Sequence, residues 1–120
     1  MEERPTYIRT KANGLLEQKI SDLEALVNSC VLCPRQCRVR RAAGETGYCK
    51  APYAIYLSSA FAHLGEEAPL VGTHGSGTIF LTHCNLRCVF CQNYDISIHG
   101  EGRCVSYGEL AGIMLRLQER

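Results

Sequence analysis

The sequence predicts an α/β fold, the opening part of a parallel barrel, with a helix and a cysteine-rich loop ahead of it. Three observations predict this. Residues 78–82, Thr-Ile-Phe-Leu-Thr, form a nearly continuous apolar run, the pattern of a strand buried on both faces of a parallel sheet. A long polar loop carrying three cysteines follows at once, and in parallel α/β folds chemistry gathers at the C-terminal ends of strands. An amphipathic helix comes next. Ser106 and Glu109 stand at capping-box spacing, and Leu110, Ile113, Met114 and Leu117 repeat at i, i+3, i+4, i+7. Strand, loop and helix make one βα unit, which buries its strand only between neighbouring strands. A full barrel needs about 200 residues or more, and this chain has 120. It is therefore expected to be the N-terminal part of a longer barrel protein.

The remaining elements follow in chain order. Residues 1–10 read as a loose lead-in. Over residues 12–27 the apolar positions Leu16, Ile20, Leu23 and Val27 recur at helical spacing, widened by Leu15 and Leu26, so a first helix ends near Asn28. Pro34, Gly44, Gly47 and Pro52 make residues 30–52 a loop. Residues 54–64 read as an extended strand, with Tyr53, Ile55 and Leu57 at period two. Residues 65–77 are turn-like. Their Gly-Thr-His-Gly-Ser-Gly stretch lacks the lysine of a phosphate loop and does not match GxGxxG. Residues 1–52 are thus expected to form a helix and a Cys-rich metal-binding segment, and residues 53–120 the start of the barrel.

Composition excludes several classes. The chain is 46% hydrophobic and 21% charged, with a net charge of +1 and its basic residues scattered. Nothing here suits nucleic acid or an anionic membrane. No apolar run approaches the roughly 20 residues of a membrane helix. The polar start, Met-Glu-Glu-Arg-Pro, lacks the apolar core of a signal peptide, which points to the cytoplasm. Eight cysteines in 120 residues could suggest a secreted disulfide scaffold. Against that, seven of the eight fall into two tight groups, and CxxC neighbours favour a shared metal over long-range staples.

The first group to carry chemistry is Cys84, Cys88 and Cys91, in Cys-Asn-Leu-Arg-Cys-Val-Phe-Cys. Three thiolates in one loop would hold three irons of a cubane cluster and leave the fourth open. Arg87 would offset the cluster's charge, and Phe90 would shield it from water. At this point the sequence resembles the radical S-adenosylmethionine (SAM) superfamily, whose signature is CxxxCxxC with an aromatic before the last cysteine. The stretch Gly-Ser-Gly-Thr-Ile-Phe-Leu-Thr-His-Cys-Asn-Leu-Arg-Cys-Val-Phe-Cys-Gln-Asn-Tyr-Asp is similar to the first barrel strand and cluster loop of the pyruvate formate-lyase activating enzyme-like group. Upstream, Cys30-Val-Leu-Cys33-Pro-Arg-Gln-Cys37, Arg40 and Gly44-Glu-Thr-Gly-Tyr-Cys49 resemble the cysteine motif of its PflX-like branch. Together these cover residues 30–97.

The resemblance implies a partial TIM barrel and a radical SAM enzyme. Cys84, Cys88 and Cys91 would ligate a 4Fe–4S cluster, with SAM on the fourth iron. One electron, from a donor such as flavodoxin or ferredoxin, would cleave SAM to methionine and a 5′-deoxyadenosyl radical. That radical would abstract hydrogen from a substrate, a glycine of a partner protein in activating enzymes. The chain departs from the family in its length. It also departs at His83, where a small residue is expected; a solvent-facing imidazole is the preferred reading over one bonded to a cluster sulfur.

Cys30, Cys33, Cys37 and Cys49 offer four thiolates for a second site. Zinc and a second iron–sulfur cluster both fit, and the spacing does not decide. Arg35, Arg38, Arg40 and Arg41 would offset the thiolate charge in either case. Cys104 is alone and reads as a small buried hydrophobe. His63, His74 and His99 read as isolated surface or turn residues, and Tyr94 as either a stacking or a core residue. The rival to an enzyme is a non-catalytic zinc or iron–sulfur binding module.

Overall fold

The apolar stripe of residues 12–27 does form a helix, but the chain is helical before it as well. The computed structural model describes residues 5–119. Helix α1 spans Thr6–Ala12 and helix α2 spans Leu15–Asn28, with a break at Asn13 and Gly14. Residues 6–10 are therefore not a loose lead-in. Pro5 starts α1, its carbonyl accepting from Ile8 N at 3.0 Å, a place where the missing proline N–H costs nothing. Part of the apolar stripe of α2 is exposed, with Leu15 52%, Ile20 49% and Leu23 55% accessible, while Leu16 and Val27 are half-buried. After α2 the chain folds back on itself through Cys30 N to Val39 O and Arg38 N to Cys30 O, both 3.0 Å. A 3₁₀ turn at Arg41–Ala43 follows and packs against α2. Arg40 and Glu45 lock it, with Arg40 Nε and Nη2 donating to Glu45 Oε1 at 2.9 and 2.7 Å.

The chain divides into two units between Tyr48 and Cys49. The second contains β1 (Ile55–His63), α3 (Ala68–Val71), β2 (Ser76–Leu81), a π-helical turn (Asp95–His99), β3 (Arg103–Val105) and α4 (Tyr107–Gln118). The sheet order is β2-β1-β3, and both pairings are antiparallel. This overturns the expected fold class, a parallel partial TIM barrel. β2 is an edge strand whose Leu81 is 52% accessible, not a strand buried on both faces. The reason lies in the connection. Between β1 and β2 the chain holds only the four-residue helix α3, too little to cross over and cover a parallel pair, so the chain reverses and pairs with itself. A short apolar run has the same composition in an edge strand with one buried face.

Leu57, Val105 and Ile113 form the buried core, with Ile55, Ala60, Ile79, Leu110 and Leu117 packed around them. They come from β1, β3, α4 and β2, and α4 lies against β1 and β2. Strand β3 fills the gap between the expected polar loop, which ends at Gly102, and the helix start at Ser106. Three residues are too few to show a period, yet Val105 turns inward at 5% accessibility. Cys104, one residue before it, faces out and is exposed, as strand alternation requires. It is not the buried hydrophobe expected.

Helix α4 starts where the sequence places it. Ser106 Oγ accepts from Glu109 N at 3.2 Å, and Ser106 N donates to Glu109 Oε2 at 2.8 Å, a complete capping box. Ser106→Ala is expected to cost about 1 kcal/mol in urea unfolding. Glu109 is also held below its ordinary value of 4.5, first by the Ser106 backbone N–H and then by Arg103. A lowered carboxylate stabilises the fold above that ordinary value and loses its effect as pH falls through the folded one. Acidification should therefore weaken the native chain more than Glu109→Gln, measured as the midpoint of urea unfolding against pH.

Candidate metal centre

The cysteine triad leaves the sheet at the end of β2. Thr82 N still donates to Tyr56 O at 2.9 Å, and then His83 takes a left-handed backbone, φ 66°, and turns the chain out of the sheet. His83 N donates to Ile96 O at 3.0 Å. Its ring meets Thr82 Oγ1 at 2.7 Å and stands edge-on to Tyr56. Gly100, at φ 75°, lies under this ring; a Cβ there would come within 2.7 Å of it. His83 is thus a half-buried brace and not the solvent-facing residue expected. Burial holds its pKa below 6.5, with the charge of Arg87 adding to the effect.

Cys84, Cys88 and Cys91 are all half-buried and free. Cys91 N donates to Cys88 O at 3.3 Å, a tight turn. Cys91 Sγ lies 3.2 Å from Ser97 Oγ. Phe90 is 85% and Val89 92% accessible, so Phe90 gives these thiols none of the shielding expected of it. Tyr94 lies edge-on to His99 at 4.9 Å between ring centroids.

In the first unit, Cys30 is buried and accepts from Arg41 Nε at 3.0 Å. Cys33 O accepts from Gln36 N at 3.0 Å, and Cys37 Sγ accepts from Tyr48 N at 3.5 Å. Gly47 lies so close that a Cβ would come within 2.9 Å of Cys37 Sγ, a contact that needs glycine. Of the four arginines expected to offset thiolate charge, Arg41 reaches a sulfur. Arg35 instead stacks on the Tyr48 ring at 3.5 Å, and Arg40 pairs with Glu45. Cys49 opens the second unit, away in sequence from the other three.

One backbone feature unites the two groups. The described non-glycine residues with positive φ are Gln36, Arg38, Lys50, His83 and Arg87. Each is the immediate neighbour of a cysteine: Cys37, Cys37, Cys49, Cys84 and Cys88 in turn. A left-handed conformation costs an L-residue about 1–2 kcal/mol. Such strain persists where surrounding structure imposes it, and it gathers at functional sites. Alternating hands of backbone also turn successive N–H groups to one side, which suits an anion.

Four thiolates on one zinc stand about 3.8 Å apart, as 2.3 Å bonds in a tetrahedron require. Neither Cys84, Cys88 and Cys91 nor Cys30, Cys33 and Cys37 draws its three sulfurs within 4.8 Å of one another. Among the described residues that spacing is met by Asp95, His99 and Glu101, all exposed. His99 is therefore not isolated; its Nδ1 lies 3.5 Å from Asp95 Oδ1. His63 likewise faces Glu66 at 3.4 Å. Ser97 and the Gly100–His83 contact carry no sequence signal, whereas Arg41 does what its place among the cysteines suggested.

Fold and site define a cysteine-rich protein with a small antiparallel sheet covered by one helix. The chain is 43% identical over 84 residues to an uncharacterized protein of Methanocaldococcus jannaschii. That match covers 70% of this chain and 23% of the relative. No protein-family model matches the chain, and no solved structure matches it significantly. Among the described residues, no helix is long and apolar enough to cross a membrane.

Proposed function

We propose that this chain is a cytoplasmic iron–sulfur protein of the radical SAM type, in which Cys84, Cys88 and Cys91 hold three irons of a 4Fe–4S cluster. The observation that carries the reading is the left-handed backbone at Gln36, Arg38, Lys50, His83 and Arg87. Strain confined to the neighbours of cysteines makes sense if those cysteines are ligands. Cys84, Cys88 and Cys91 are free, half-buried thiols on one loop. The CxxxCxxC spacing and the flanking residues supply the resemblance.

A cluster held by Cys84, Cys88 and Cys91 would supply the low-potential electron needed for reductive cleavage of SAM. The chain's own part is to hold and tune. His83 and Gly100 fix the start of the loop, the Cys88–Cys91 turn fixes its end, and Arg87 adds positive charge. Cys30, Cys33 and Cys37 of the first unit would in this reading contribute thiolates to a second metal of zinc or iron–sulfur type. A low-potential donor such as flavodoxin or ferredoxin and a protein substrate are the partners of the complete enzyme.

Anaerobic reconstitution of the full chain with iron and sulfide tests the reading. A brown protein is expected, with a reduced EPR signal that changes on adding SAM. A colourless protein retaining only zinc would refute it and leave the non-catalytic module.

A further inference from the structure

We propose that Ser97 is a positioning residue for the triad's cluster: its hydroxyl donates a hydrogen bond to the Cys91 sulfur and raises the cluster's reduction potential. The inference rests on the iron–sulfur reading above. Ser97 Oγ lies 3.2 Å from Cys91 Sγ. Ser97 and Arg41 are the buried polar side chains among the described residues, at 9% and 7% accessibility. Each ends on a cysteine sulfur, Arg41 on Cys30 and Ser97 on Cys91. Buried polar groups need partners, and here each has a cysteine sulfur among them.

The π-helical turn Asp95–His99 puts the hydroxyl in place. Ser97 N donates to Asn93 O at 2.8 Å, while the adjacent Ile96 carbonyl receives His83 N at 3.0 Å. The same turn therefore grips the chain before Cys84 and the thiol of Cys91. Wide turns of this kind recur at functional sites. A metal-bound thiolate has no proton, so the direction of the bond is fixed: the hydroxyl donates and the sulfur accepts. Drawing charge from a cluster sulfur favours the reduced, more negative state.

The test uses the full native chain, Ser97→Ala and Ser97→Thr, each reconstituted anaerobically with iron and sulfide and titrated by EPR. Ser97→Ala is expected to hold the native iron load at a more negative midpoint potential, and Ser97→Thr to restore the native value. An alanine variant with native iron and an unchanged potential overturns the inference. Should Ser97→Ala lose its fold by circular dichroism, the isosteric pair Ser97→Thr and Ser97→Val carries the same comparison. Equal potentials in that pair overturn it; a more negative value for valine supports it. A native chain that takes up no iron instead counts against the iron–sulfur reading itself, and this inference falls with it.

Discussion

Cys88→Ala should abolish the triad's cluster while leaving the fold intact. Two thiolates cannot hold a cubane that already keeps one iron free of protein ligands. Cys88 lies on a loop, half-buried, with Leu86, Val89 and Phe90 around it largely exposed. Its removal empties no core position, so the circular dichroism spectrum should match the native one. Iron assigned to the triad's cluster by 57Fe Mössbauer spectroscopy should fall to background, and the SAM-sensitive EPR signal should vanish. Any metal bound by the upstream cysteines should stay. Cys104→Ala is the control: Cys104 is exposed on β3 and should change neither metal content nor spectrum. Full iron retention in Cys88→Ala would remove Cys88 from the ligand set and sink the proposal.

The second large effect is on stability. Leu57→Ala should cost about 2–5 kcal/mol in urea unfolding, the range for deleting a buried leucine side chain. Three properties place Leu57 in that range. It is 5% accessible and touches the two other core residues' cluster. It lies on the middle strand, paired with Leu81 on one side and Arg103 on the other. A register irregularity between Leu57 and Ser59 leaves that stretch dependent on side-chain packing. Domains keep only about 5–15 kcal/mol in total, so this single change removes a large share. Leu64→Ala, at 70% accessibility, should stay within about 0.5 kcal/mol of the parent. If Leu57→Ala also stayed within that margin, the small core described here would not be what holds the sheet.

Local signals read correctly from the sequence share a physical property: their cause lies within a few residues. Ser106 and Glu109 cap α4 because each reaches the other's backbone across one turn. The stripe from Leu16 to Val27 makes α2 because side chains four apart share a face. β1 follows from Ile55, Tyr56, Leu57 and Phe61, apolar and aromatic residues close together in sequence. The misreadings concern partners instead. Nothing in Thr-Ile-Phe-Leu-Thr says which strand it will meet, or in which direction. The parallel assignment came from the apolar run, the loop and helix that follow it, and the family resemblance, and the short α3 connection between β1 and β2 reversed it. β3 was missed because its three residues pair by virtue of where β1 already lies.

The candidate site divides along the same line. The sequence by itself determined the donor chemistry: two groups of thiols at ligand spacing, basic residues near them, and a glycine-rich setting. Those are properties of residue type and separation, which no fold can change. Only the tertiary structure decided what surrounds the sulfurs. It put Ser97 on Cys91, Arg41 on Cys30, and the Gly100 backbone under the His83 ring, and it left Phe90 in the open. It also set the hand of the backbone beside the cysteines. Contacts of this kind depend on how the π-helical turn and the sheet meet in space, and distance in space is the quantity a linear sequence does not carry.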